Sequence, residues 1–114
     1  MEQIKFVMMD YVKDFLSKEG GGGKQTQLAV DEYQGALFEN MQKAGAIKQV
    51  NSDPRIFSLR VKYSGIFFRL LGPKIKSCIY FVHGFKKKSD RIPPSDMQTA
   101  VKRTNRLIQS LNLK

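Results

Sequence analysis

The stretch IYFVHGFKKK, residues 79–88, runs an apolar segment directly into three consecutive lysines. Side chains on a strand alternate between its faces. Ile79, Phe81, His83 and Phe85 are therefore expected on one side, Tyr80, Val82, Gly84 and Lys86 on the other, with Lys87 returning to the side of His83. The strand ends in a cationic rim of Lys86, Lys87, Lys88 and, a little further on, Arg91. Two more alternating runs precede it. IFSLRVKY, residues 56–63, sets Phe57, Leu59 and Val61 against Ser58, Arg60 and Lys62, and IFFRLL, residues 66–71, holds Arg69 in an apolar context. Ser64-Gly65 and Gly72-Pro73 supply the turns between the runs. Short connections make consecutive strands antiparallel neighbours, so the meander brings Arg60, Arg69 and the segment ending in Lys86 onto adjacent rungs.

At 114 residues the chain has the size of one domain, residues 1–114, with a core of its own. Ile4, Phe6 and Met8 alternate with polar neighbours and predict a short opening strand. Asp10 reads as the N-cap of a helix with Tyr11, Val12, Phe15 and Leu16 on its apolar face, and Gly20–Gly23 reads as its terminator and a flexible hinge. No strand leads into these glycines and no GxxxxGK[ST] frame surrounds them, so they do not read as a phosphate loop. A second helix is predicted from Gln25 to Ala44 on the stripe Val30, Tyr33, Leu37, Met41 and Ala44, closed by Gly45. The two helices should pair as a hairpin against the sheet. After Ile92-Pro93-Pro94-Ser95, a closing helix has Asp96 in its first turn and Met97, Ala100, Val101, Thr104, Leu107, Ile108 and Leu111 on one face. The expected class is α+β: an antiparallel sheet of the opening strand plus the three-strand meander, an N-terminal helical hairpin and a C-terminal helix.

The net charge of +10 is lopsided. Residues 1–53 carry 6 Lys and Arg against 8 Asp and Glu, whereas residues 54–114 carry 14 against 2. A concentration of +12 in the second half suits counter-ion release from phosphates, or an acidic protein partner. No run approaches the 18 apolar residues of a membrane span and the first residues lack a signal-peptide layout, so a cytoplasmic protein without membrane contact is expected. Cys78 stands alone, which excludes an internal disulfide and a multi-cysteine metal site. His83 is the one histidine, and between Phe81 and Phe85 it reads first as a packed core residue. With no second histidine and no acidic cluster among the cationic strands, neither a metal nor another cofactor is expected.

The chemistry open to such a surface runs on cations. RNA is cut without metal when its own 2′-OH attacks the adjacent phosphorus, provided that the protein orients the attack, stabilises the added negative charge and manages two protons. Arg60 and Arg69 suit the phosphate through their forked donors, while lysines, tyrosines or His83 are candidates for proton transfer. The plainer reading pairs both arginines with acids elsewhere in the chain.

The runs FSLRVKYSGIFFRLL and IYFVHGFKKKSDRIPPSDMQTAVKR resemble, in residues and in order, the RelE/ParE toxin superfamily, in particular its HigB-like, phage-derived branch. The resemblance spans most of the chain. It implies the toxin of a type II toxin–antitoxin system, a ribosome-dependent, metal-independent endoribonuclease that cleaves mRNA and arrests translation. Arg60, Arg69, His83 and Lys86 would then be the catalytic candidates, with Lys86 or His83 handling a proton, and Lys62, Lys87, Lys88 and Arg91 would hold nucleic acid. The partners implied are mRNA, the ribosome and a cognate acidic antitoxin bearing a helix-turn-helix DNA-binding domain. The superfamily also contains gyrase inhibitors of the same fold that cut no RNA, and a non-enzymatic nucleic-acid-binding regulator is a third reading, because fold does not fix function.

Overall fold

A computed structural model describes residues 2–112. In chain order the elements are β1 (Lys5–Met8), α1 (Asp10–Ser17), α2 (Gly20–Tyr33), α3 (Phe38–Lys43), β2 (Ile47–Ser52), β3 (Arg55–Tyr63), β4 (Ile66–Gly72), β5 (Lys74–Ile75), β6 (Cys78–Phe81), β7 (His83–Lys87) and α4 (Pro94–Asn112). The protein is α+β, with a helical N-terminal region and a C-terminal helix.

The turn Ser64-Gly65 sets the register of the main sheet. Both residues have positive φ, 52° and 78°, as a two-residue type I′ hairpin requires. Tyr63 therefore pairs with Ile66 and, three rungs along, Arg60 with Arg69. The main sheet is antiparallel throughout in the order β2-β3-β4-β7, and a smaller sheet has the order β1-β6-β5.

Directly opposed residues in an antiparallel pair share a face. One face of the main sheet presents Phe57, Leu59 and Leu70 to Val12, Leu16, Val30 and Met41 of the three N-terminal helices, and Ile4, Phe6, Ile79 and Phe81 of the small sheet complete that core. The other face presents Ile56, Leu71 and Phe85 to Ala100 of α4, with Met97 and Val101 half-buried beside them. Each fully buried Leu, Ile or Phe contributes about 1.5–3 kcal/mol relative to an exposed one, so both faces are anchored by apolar burial.

Several local expectations change. The run 79–88 is not one strand. It crosses from the small sheet to the main sheet at Val82, whose N–H donates to the Leu71 carbonyl at 2.8 Å. The alternation slips there, Phe81 and Val82 both being fully buried, so Phe81 and Phe85 lie in different cores rather than on a common side. The opening strand pairs in parallel with β6, Phe6 opposite Ile79, instead of joining the antiparallel meander. A strand that alternation did not reveal, β2, forms the edge beside β3; its register shifts between Gln49 and Asn51, so Ile47 and Val50 fall out of period two.

The glycines are not a hinge. Gly20 opens α2, and Gly22 and Gly23 are buried in its first turns, where a Cβ on Gly22 would run into the Phe68 ring and one on Gly23 into the Leu16 carbonyl. They let α2 approach both α1 and the sheet. The helix predicted from Gln25 to Ala44 breaks at Gln34-Gly35, where the Gln34 side chain leaves the helix to bond the Phe6 N–H and carbonyl at 2.9 and 3.0 Å, and Gly35 takes φ +78°. Met9, not Asp10, is the N-cap of α1, with Asp10 in the first turn. Gly45 does close α3, at φ +77°, and α4 starts at the prolines with Asp96 in its first turn as expected. Cys78 is half-buried on β6. Among the described residues no helix is long and apolar enough to cross a membrane.

Candidate nucleic-acid interface

The register fixed by the hairpin sets two rows of side chains across the α4 face of the main sheet. Arg60 lies opposite Arg69 and Arg69 opposite Phe85; next to them, Lys62 lies opposite Phe67 and Phe67 opposite Lys87. α4 covers the Ile56, Leu71 and Phe85 end of this face. Beside it opens a groove of about 670 Å³ lined in part by Lys48, Ser58, Arg60, Arg69 and Asp90.

Arg69 is the buried anchor. Its side chain is 10% exposed, and Nη1 donates to Ser58 Oγ at 3.0 Å while Nη2 donates to the Asp90 carbonyl at 2.9 Å. The Asp90 carboxylate bridges the two arginines, with Oδ1 on Arg69 and Oδ2 2.5 Å from Arg60 Nη1. Arg60 is 43% exposed and its guanidinium lies 5.4 Å from the Phe67 ring centroid, as does Lys62 Nζ. An aromatic face flanked by cations is suited to stacking a base while binding its phosphates.

The hydrogen bond from Arg60, reinforced by the charges of Arg69 and Arg60, holds the Asp90 carboxyl below the ordinary aspartate value of 3.8. A lowered folded-state pKa adds stability above the unfolded value and loses it as pH falls through the folded one. In an acid titration followed by the carboxyl carbon shift, Asp90 should keep its charge below pH 3.8 and release the arginines only under more acidic conditions. A midpoint at or above 3.8 would contradict the bridge.

The other expected site residues separate into groups. Lys87 projects on the arginine face, in register with Phe67, and Lys62, Lys87, Lys88 and Arg91 are all exposed. Lys86 pairs with Phe68 on the opposite face and forms a 2.5 Å ion pair with Glu19. His83 is on the arginine face but outside the residues lining the groove: Nε2 is 2.7 Å from Asp96 and Nδ1 3.3 Å from Arg103, which also donates to the Val82 carbonyl. Arginine has only donors, so Nδ1 accepts and Nε2 donates to Asp96. His83 thereby ties α4 to the sheet. Sequence reasoning passed over Asp90, Ser58, Phe67 and Lys48. Asp90 carried a signal: with Asp96 it is one of only 2 acids among the 16 charged residues of 54–114.

A family model described as Phage derived protein Gp49-like (DUF891) matches residues 24–105, from α2 into α4, and so contains the whole arginine–lysine face. The chain belongs to this family. No curated protein and no solved structure matches it. For this Gp49-like chain the matched segment leaves out β1 and α1, which contribute to the helix-side core rather than to the groove.

The Lys86 and Lys87 contrast gives a direct check. If this face binds single-stranded RNA, Lys87→Ala should weaken that binding and lower the slope of log K against log salt by about 0.7, the share of one phosphate contact on a single strand. Lys86→Ala should leave that slope unchanged, because its ammonium is turned to Glu19 on the other face. Equal slopes for the two variants would show that sheet facing does not sort the lysines.

Proposed function

We propose that this Gp49-like protein is the toxin of a type II toxin–antitoxin system, a ribosome-dependent and metal-independent endoribonuclease that cleaves mRNA. The observation that carries this reading is the cross-strand pairing of Arg60 with Arg69 in an open groove, beside a Lys62–Phe67–Lys87 row. Two forked guanidinium groups that meet the two oxygens of a single carboxylate are spaced to grip one oxyanion through both of its acceptors. The Phe67 row next to them offers a base-stacking surface. The phage-derived family supports the same reading, and so does the resemblance of the strand and lysine runs to HigB-like toxins.

In this mechanism Arg60 and Arg69 bind the scissile phosphate and stabilise the charge that builds as the 2′-OH attacks. Lys62, Lys87, Lys88 and Arg91 hold flanking phosphates or ribosomal RNA. Lys86 and His83, turned to Glu19 and Asp96, act as proton carriers only if they leave those partners. A cognate acidic antitoxin with a helix-turn-helix domain would cover the +12 half of the chain.

The deciding experiment is induction in bacteria with mapping of transcript ends. Growth arrest with new ends inside translated messages is the expected result. Arrest with intact transcripts and double-strand DNA breaks would replace the nuclease by a gyrase inhibitor, and neither arrest nor cleavage would leave a binding protein. If co-expression of the product of the neighbouring reading frame neither restores growth nor co-purifies, the antitoxin part of the proposal fails.

A further inference from the structure

Asp90 fills the place between the two guanidinium groups that an external oxyanion would take. One carboxylate oxygen meets Arg60 and the other Arg69, as two non-bridging oxygens of a phosphodiester would. The loop that delivers it is held weakly elsewhere. Residues 88–93 lie between β7 and α4 without regular structure, and the N–H groups of Ser89, Asp90 and Arg91 make no turn or loop hydrogen bond to another backbone group among the described residues. Ile92 packs against the Ile56, Leu71 and Phe85 cluster at the far end of the loop, but the hydrogen bonds that hold residues 89–91 to the sheet run through Asp90, by its carboxylate and by its carbonyl on Arg69 Nη2.

The two partners differ in mobility. Asp90 is half exposed, at 50%, whereas Arg69 is locked under the loop at 10%. Arg69 Nε is buried without an acceptor among the described residues, so the donors of Arg69 are not all satisfied while Asp90 is in place. A buried donor without a partner is costly, and an oxyanion with more lone pairs relieves it better than a carboxylate already engaged at both oxygens.

We propose that Asp90 is a built-in occupant of the Arg60–Arg69 site, displaced when a phosphodiester of single-stranded RNA enters the groove. This rests on the groove being an RNA site. Empty of RNA, the protein keeps its buried arginine neutralised and its two forks aligned; binding RNA exchanges one anion for another and lifts residues 88–91, including Lys88 and Arg91, off the sheet. The carboxyl is held below the ordinary aspartate range by the arginines, which makes it a weak base and suits it to occupancy rather than to proton abstraction. An internal competitor lowers the apparent affinity by the fraction of time for which the site is open. A site latched shut for nine-tenths or more of the time gains roughly tenfold or more in affinity when the latch is removed.

The test is equilibrium binding of a labelled hexauridylate at fixed ionic strength to the full chain and to Asp90→Asn, Arg60→Ala and the double variant, with Glu32→Gln on α2 as a remote control for the lost charge. Asp90→Asn should bind about tenfold tighter, Glu32→Gln should match the parent within about twofold, and the gain from Asp90→Asn should vanish in the Arg60→Ala background. Asp90→Asn binding no tighter than Glu32→Gln, or a gain that persists without Arg60, overturns the latch. Because removing the counter-ion of a buried arginine risks the fold, titration of the parent protein with inorganic phosphate gives a second reading by NMR. The amide signals of Ser89, Asp90 and Arg91 should move with the same midpoint as Arg69 Nε–H; shifts at the arginines with a stationary loop overturn the proposal. RNA binding that ignores Asp90 defeats only the latch, whereas absence of RNA binding in every variant, together with intact transcripts in cells, defeats the RNA reading beneath it.

Discussion

On the proposed endoribonuclease reading, Arg69→Lys is expected to give a folded protein without transcript cleavage. Lysine keeps the charge and the apolar stem at this buried position, but it replaces a planar fork by a single ammonium group. The fork bonds in three directions at once, to Ser58, to the Asp90 carbonyl and to the Asp90 carboxylate. A point charge cannot hold that geometry and also present a second donor to a phosphate. Loss of one positioned donor to a charged transition state costs about 2.7–4 kcal/mol, or 10²–10³ in rate. Arg69→Ala would give the same loss of activity mixed with a structural one, since the buried Ser58 hydroxyl would be left unpaired at about 1–3 kcal/mol and Asp90 would keep only Arg60. The measurements are transcript-end mapping and a thermal melt. Full cleavage by a folded Arg69→Lys protein would remove Arg69 from the chemistry.

Gly23→Ala should be among the most damaging single-methyl changes outside the groove. In an exposed helix interior this substitution stabilises by about 1 kcal/mol. Here the added Cβ would run into the backbone carbonyl of Leu16, which has no rotamer to change, so α2 must separate from α1. At Gly22 the obstacle is the Phe68 ring, a side chain with some freedom to tilt, and at Gly20 nothing lies within 4 Å. Urea unfolding should therefore show Gly23→Ala destabilised by about 1–3 kcal/mol, the range for overpacking, and Gly22→Ala by less. Against a total stability of about 5–15 kcal/mol that is a large fraction. If Gly23→Ala is more stable than the parent, the close approach of α1 and α2 is wrong.

These glycines mark where the sequence was least legible. Four in succession carry the local signal of a break, and only the tertiary position of Leu16 and Phe68 turns them into a contact surface. β2 was hidden by its register shift, and the crossing at Val82 by the unbroken run of aromatic and branched residues around it. The meander was legible because the Ser64-Gly65 turn dictates its register, and from that register follow the Arg60–Arg69 pair, the side chosen by Lys87 and the opposite side chosen by Lys86. Of the two aromatic neighbours expected for His83, the structure keeps Phe85, stacked on the imidazole, while Phe81 lies in the other core, and Asp96 and Arg103 as its partners were not foreseen. Asp90 escaped notice because it sits among Lys86, Lys87, Lys88 and Arg91, where one acid looks like dilution of the charge.

The parallel pairing of β1 with β6 has a consequence for how the protein comes into being. Lys5 lies beside Cys78 and Met8 beside Phe81, so the first strand, held until then only by contacts to residues 34–38, has no strand to pair with until residues 78–81 have left the ribosome. Contacts so distant along the chain form late, because loop closure must precede them. Phe6 and Ile4 also belong to the core that supports β3 and β4. A nascent chain stopped before β6 therefore lacks the backing that aligns the two arginines, and no complete groove exists until residues 78–81 have been made.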